Sequence, residues 1–257
     1  MEFLQMKVED RIALITINKA PANALSSAVL KELSLLMDDL ENQEEVRVVL
    51  LHGEGRFFSA GADIKEFTTV ETGEEFAELA KFGQDLFERM ENFPKPIIAA
   101  IHGAALGGGL ELAMGCHIRL VTKTAKLGLP ELQLGLIPGF AGTQRLPKLV
   151  GSAKAFEMLF TSDTLTGEEA VQWGLANKAV DEEVLMDEAL KMAKKIAQKG
   201  PISVASVIEL SRYAKHEEFY QGVDREAQLF GKVFTSEDGK EGITAFMEKR
   251  APEFKGK

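Results

Sequence analysis

The chain has 257 residues, 45% of them hydrophobic and 27% charged, a globular composition long enough for one large core with an appendage. Its 40 acidic residues against 30 basic ones give a formal net charge of -10 and a pI near 5.1, the wrong sign for a protein that neutralises a nucleic-acid backbone or an anionic membrane. A single cysteine, Cys116, excludes an intramolecular disulfide and fits a reducing compartment. The N-terminal MEFLQMKVEDR lacks the apolar stretch of a secretion signal and no apolar run is long enough to span a bilayer, so a cytoplasmic location is expected.

In chain order, the apolar runs IALITI (12–17), VVLL (48–51) and IIAAI (97–101), each bounded by Gly, Pro or charge, predict buried strands. Between the first two, residues 26–43 open on Ser26 and carry Leu30, Leu33, Leu36, Met37 and Leu40 at helical spacing, which predicts a capped amphipathic helix. The alternation predicts an α/β layered core. Residues 67–84 are polar and acidic and read as a lid-like excursion. Beyond Gly151 the pattern is mostly helical, so a core over residues 1–198 and a helical assembly region over 199–257 are expected.

Residues 48–67 and 97–115 share a layout: a strand, a His-Gly pair, a small-residue loop, then helical character. The two segments are either a repeated unit or a coincidence of common turns. The second contains ALGGGLELAMG, where Leu106, Leu110, Ala113 and Met114 place the start of a helix at the glycines, with free N–H groups projecting from residues 107–109. No G-x-x-x-x-G-K-[ST] is present, and Leu112 stands where G-x-G-x-x-G needs its last glycine, so an oxyanion is a better partner for this loop than a phosphate.

Glu111 falls in the first turn of that helix, either complementing its dipole or carrying chemistry. Glu131 is the one acid in residues 125–151 and sits among Leu129, Pro130, Leu132 and Leu134. It is either ion-paired with Arg145 or Lys126, or a carboxyl group kept neutral enough to exchange a proton near neutral pH. Cys116 and His117 are placed on the same apolar helix, with Cys116 as a small core residue. His52 and His102 end strands without His-x-x-His spacing, and no metal site is assigned.

Four segments in register, RFFSAGADIKEF, IHGAALGGGLELAMGCHIRL, KLGLPELQLGLIPGFAGTQRLPKLVG and EDGKEGITAFMEKRAPEF, closely resemble the crotonase superfamily, in particular bacterial enoyl-CoA hydratases. The resemblance runs from PANALSS at Pro21 to the EKR near the end of the chain. It implies the crotonase α/β fold, a superhelix of repeated β-β-α units with a helical C-terminal trimerisation region. It also implies an oxyanion hole from the N–H groups of Ala62 and Gly108, with each donor worth about 3 to 4 kcal/mol on a developing enolate. Glu111 and Glu131 match the two catalytic glutamates of the hydratases, Glu111 deprotonating water and Glu131 delivering a proton to Cα.

By the same resemblance, Ala24, Ala60, Asp63 and Ile64 border the coenzyme A moiety, Gly139 and Gly142 form the turn beside the carboxylates, and Phe230, Phe246 and Lys249 reach a neighbouring subunit's CoA site. Phe140 departs from the small residue common in the family and bears on acyl-chain preference; His117 replaces a common Asp. The implied activity is hydration of trans-2-enoyl-CoA in fatty-acid β-oxidation, with an enoyl-CoA isomerase or a branched-chain hydratase as the nearest alternatives. No cofactor is expected beyond the coenzyme A of the substrate, and a homotrimer or a hexamer of paired trimers is implied. Some family members bind RNA through a basic helix, but the corresponding helix here sets Lys31 against Glu32, Asp38, Asp39 and Glu41, so no nucleic-acid or membrane partner is expected.

Overall fold

The computed structural model describes residues 1–67, 73–215 and 236–257. A six-stranded sheet is built from β1 (Leu4–Glu9), β2 (Ile12–Ile17), β3 (Val48–Gly53), β4 (Ile97–Ile101), β6 (Ile118–Thr122) and β8 (Lys178–Val180), in that spatial order. β1 and β2 form an antiparallel pair, and every later pairing is parallel. The three predicted apolar runs are the strands β2, β3 and β4. Strand β8 carries no such signal, because KAV is too short to show any period and forms only by pairing with β6.

Parallel strands are covered on both faces, and the residues divide accordingly. Val49 and Leu51 of β3, with Ile97, Ala99 and Ile101 of β4, enter the core beneath α1 (Ser27–Asn42) and α3 (Gly73–Glu91). Val48, Leu50, Ile98 and Ala100 face the other way, onto α8 (Leu185–Ala197), which presents Leu185, Ala189, Ala193 and Ala197 at four-residue spacing. Helix α1 begins as the sequence predicts, with the Ser26 hydroxyl accepting from the Val29 N–H. The shorter helices α2 (Ile64–Phe67), α6 (Ser152–Thr161) and α7 (Gly167–Gln172) fill connections, the last opened by a capping box between Thr166 and Glu169. Residues 73–84, read from sequence as a polar excursion, belong instead to α3, whose apolar face includes buried Leu86, Phe87 and Met90; residues 68–72 of that segment lie outside the described residues.

A second, shorter layer crosses the ends of the main strands. Parallel bridges link Leu25 to Ala62 and Ser59 to Ala105, β5 (Ala104–Leu106) pairs with β7 (Lys126–Gly128), and Leu127 bridges Leu165. Successive turns of chain therefore each contribute a long strand, a short one and helical structure, the β-β-α superhelix. The likeness between residues 48–67 and 97–115 is real in this sense. Their loops are laced together by the Ser59 N–H donating to Ala104 O at 3.1 Å and the Leu106 N–H donating to Ser59 O at 3.1 Å.

That lacing explains one glycine of the run. A Cβ on Gly109 would lie 2.4 Å from the Ser59 carbonyl oxygen, a backbone atom with no room to withdraw. Gly109→Ala is expected to force the loops apart and destabilise the fold by about 1–3 kcal/mol, read as a lower urea midpoint at unchanged m-value. An unchanged midpoint would show that the loops are not held at this spacing.

The C-terminal part is helical where described, in α9 (Pro201–Lys215) and in a last helix at Glu237–Glu248. The described side chains of α9 are all partly or fully exposed. No helix among the described residues is long and apolar enough to cross a membrane.

Candidate active site

The glycine loop ends in α4 (Gly108–Met114), a seven-residue helix buried throughout. Gly107 precedes it at φ 51°, a left-handed conformation that a side chain would strain, and a Cβ there would lie 3.0 Å from Glu131 Oε1. The companion loop brings Gly61 and Ala62 alongside: a Cβ on Gly108 would stand 3.3 Å from the Ala62 nitrogen. Among the described residues, neither the Ala62 nor the Gly108 N–H donates to a backbone acceptor: the Leu25 bridge uses the Gly61 carbonyl and the Asp63 N–H on either side of Ala62, and Gly108 is the first residue of α4, with no acceptor one turn back. Two unspent donors thus stand at the mouth of one cleft.

That cleft, about 120 Å³ in volume, has the backbone of residues 60–62 and 107–108 on one side. Leu79 and Ala80 of α3 form a second wall, and Leu134, the last residue of the 3-10 turn Glu131–Leu134, forms a third with Leu136 and Ile137. Glu111, Glu131, Gly139 and Phe140 also line it. Sequence reasoning missed the α3 wall altogether. The signal for the third wall was a run of leucines, and it is visible only in hindsight: Leu134 and Ile137 remain 59% and 74% exposed, an apolar surface left beside the opening.

Glu111 is 1% exposed, and its Oε1 accepts from the Phe140 N–H at 2.8 Å and the Gly142 N–H at 2.7 Å. Burial, augmented by repulsion from Glu131, outweighs these two hydrogen bonds and raises its pKa to about 7. An answer to the helix dipole alone does not account for the two N–H groups that a distant turn brings to the same oxygen. Glu131 is half-buried, and burial raises its pKa as well. Among the described residues it makes no ion pair, and its buried Oε2 has no hydrogen-bond partner. Arg145 pairs with Glu91 instead, and Lys126 is exposed, so the ion-pair alternatives for Glu131 fall away.

The remaining sequence-predicted residues distribute as follows. Ala24 lies on the segment whose neighbours hold the companion loop, with the Ala60 N–H donating to Ala22 O and the Leu25 N–H to Gly61 O. Ala60 and Ile64 line the cleft, Ile64 at 54% exposure, and Asp63 is tied to Lys19 Nζ at 2.7 Å. The Gly139 carbonyl accepts from Gln84 Nε2, while Gly142 opens α5 (Gly142–Val150). Phe140 is buried edge-on against Phe87, with ring centroids 5.4 Å apart. Gly83 of α3 leaves it space, because a Cβ there would meet the ring at 2.4 Å. Lys249 is exposed just past the last helix and does not line the cleft; Phe230 and the Phe246 side chain lie outside the described residues.

Cys116 and His117 correct the sequence reading. Helix α4 ends at Met114, so both residues sit on the connection to β6. The buried Cys116 thiol is pushed up to about 12 by burial, which leaves it inert, and His117 Nδ1 accepts from the Ile97 N–H at 3.0 Å. His52 contacts Thr16 Oγ1 and His102 the Gly55 carbonyl, so both have structural partners. No group of three potential metal ligands occurs among the described residues.

The chain resembles known proteins over its full length. The family profile described as Enoyl-CoA hydratase/isomerase matches residues 7–257. A probable enoyl-CoA hydratase of Bacillus subtilis is 54% identical over 100% of both chains, and a crotonyl-CoA hydratase of Syntrophomonas wolfei is 40% identical over 98% of both. Among solved structures, an enoyl-CoA hydratase from Bacillus anthracis superposes with a TM-score of 0.94 at 36% identity, covering 99% of this chain and 100% of that one. The fold is that of the crotonase superfamily. With two paired carboxyl groups beside a glycine loop and relatives matched from end to end, the chain belongs to the enoyl-CoA hydratase/isomerase family.

Proposed function

We propose that the protein is a hydratase that adds water across the 2,3 double bond of a trans-2-enoyl-CoA to give the 3-hydroxyacyl-CoA. The observation that carries this reading is the pair of carboxyl groups, both raised in pKa, facing one apolar cleft beside two unspent backbone N–H groups. The thioester oxygen accepts from the Ala62 and Gly108 N–H groups, which stabilise the enolate as charge moves onto that oxygen. Glu111, fixed by the Phe140 and Gly142 N–H groups, takes a proton from water as its oxygen bonds to Cβ. Glu131 in its neutral form gives a proton to Cα, and the proton taken from water resets the pair, so the net change is one H and one OH added. Two retained carboxyl groups favour hydration over an isomerisation that needs only one to shuttle a proton. The names of the relatives support the substrate class.

Coenzyme A follows the backbone of residues 60–64 and Ala24, and no cofactor beyond it takes part. Phe230, Phe246 and Lys249 complete the CoA site of a neighbouring subunit in a trimer or paired trimers, a reading supported by the partly exposed apolar side chains of α9, with Val207 at 63%. The activity belongs to fatty-acid β-oxidation in the cytoplasm. The test is loss of the enoyl-thioester ultraviolet absorbance when the protein is added to crotonyl-CoA. Rapid loss is expected. No loss with any straight-chain enoyl-CoA would overturn the reading and point to isomerisation or a branched substrate.

A further inference from the structure

The turn that holds Glu111 is itself held from α3. Its two N–H groups, from Phe140 and Gly142, converge on Glu111 Oε1, and between them Ala141 adopts a left-handed conformation at φ 69°, which a residue with a Cβ adopts only when its surroundings impose it. Three residues of α3 at positions 84, 87 and 91, one face of the helix, supply that constraint. Gln84 Nε2 donates to the Gly139 carbonyl at 2.9 Å, and Phe87 packs edge-on against the Phe140 ring. Glu91 pairs with Arg145, whose Nη2 donates to Glu91 Oε2 at 3.1 Å, while its Nε lies 3.1 Å from Oε1 in a geometry too bent for a hydrogen bond. The same guanidinium donates from Nη1 to the Phe140 carbonyl at 2.6 Å, and Arg145 is only 7% exposed.

We infer that Arg145, anchored by Glu91, is a positioning residue for the reaction: by gripping the Phe140 carbonyl it fixes the strained turn whose two N–H groups aim Glu111 into the cleft. It does not itself line the cleft. Arginine suits this role because its planar fork serves a carboxylate and a carbonyl at once, whereas the lysine ammonium gathers its donors at one atom on a shorter stem and cannot span the two in the same geometry. The inference rests on the hydratase reading for the reaction it assists but not for the geometry.

The experiment compares the wild-type protein with Arg145→Lys, in two measurements. Steady-state hydration of crotonyl-CoA is expected to show kcat reduced about tenfold or more with KM changed less than about threefold, since the CoA contacts lie elsewhere. The infrared titration of the Glu111 carboxyl, assigned by difference against Glu111→Gln, needs no substrate. Its midpoint is expected to move up by about one pH unit, because the two N–H bonds that favour the ionised form weaken; the charged groups acting on Glu111 are Glu131, which raises it, and Arg145, which lowers it.

A folded Arg145→Lys protein with wild-type kcat and midpoint overturns the inference, as does a loss of kcat matched by an equal loss of folded, titratable sites. Should that variant fail to fold, Glu91→Gln, which frees the guanidinium from its anchor, is read in the same way, and an unchanged kcat and midpoint overturn it. Should the wild-type protein hydrate no enoyl-CoA, the reading of the reaction fails while the titration still decides the positioning role.

Discussion

Glu131→Gln is expected to lower kcat for crotonyl-CoA hydration by about 10²- to 10⁴-fold while leaving KM within a few-fold of wild type. Glutamine keeps the size and one carbonyl oxygen of the side chain, so the apolar cleft and the 3-10 turn that carries it persist. It has no acidic proton to give Cα. The buried Oε2 has no hydrogen-bond partner to lose, so besides the acidic proton the substitution removes only the repulsion that Glu131 exerts on Glu111. Stopped-flow absorbance at saturating substrate, with the folded fraction measured in parallel, checks this. A loss smaller than about tenfold would remove Glu131 from the proton path.

Glu111→Gln is expected to change the pH dependence of stability, and the sign of the change follows from the pKa. The native carboxyl titrates at about 7 against 4.5 for an unperturbed one, so between these values the folded protein holds a proton that the unfolded chain has released. Stability from this group is therefore fully present below about pH 4.5 and is lost as pH rises through about 7. The full loss is on the order of 3 kcal/mol at 1.36 kcal/mol per unit of pKa. A glutamine side chain lacks that slope, while its carbonyl oxygen can still accept from the Phe140 and Gly142 N–H groups. The variant is thus expected to be more stable than the wild type at about pH 8.5, with the difference shrinking towards about pH 5. Urea unfolding at both pH values, at one protein concentration, measures it. A difference independent of pH would mean that burial does not hold the Glu111 proton.

Much of the fold was legible because its signals are local. The double-sided strands read as uninterrupted apolar runs, and Ser26 with the leucines of α1 marked a capped helix. The glycine loop announced a close backbone approach, although only the family resemblance connected Gly108 with Ala62. What could not be read depends on contacts between distant residues. Strand β8 exists through its neighbour, and α3 looked like a polar excursion because the acidic sequence of its N-terminal part masks the later face formed by Phe87 and Met90. The fate of Glu131 depended on which acid Arg145 prefers. Glu91 takes it from 54 positions away, a separation at which no spacing rule operates.

The lacing of the two loops also sets a distance. Ser59 and Ala105 are bridged as neighbouring strands, about 4.8 Å apart, and Ala62 and Gly108 each follow three residues on; at that separation an oxygen about 2.9 Å from both nitrogens subtends an angle of about 110° between them. That is close to the spread of the two lone pairs on a carbonyl oxygen, so one acceptor can satisfy both N–H groups without either bending. The spacing of the proposed oxyanion grip is therefore set by the peptide backbone, and it depends on side chains only where the glycines of the loop must have none.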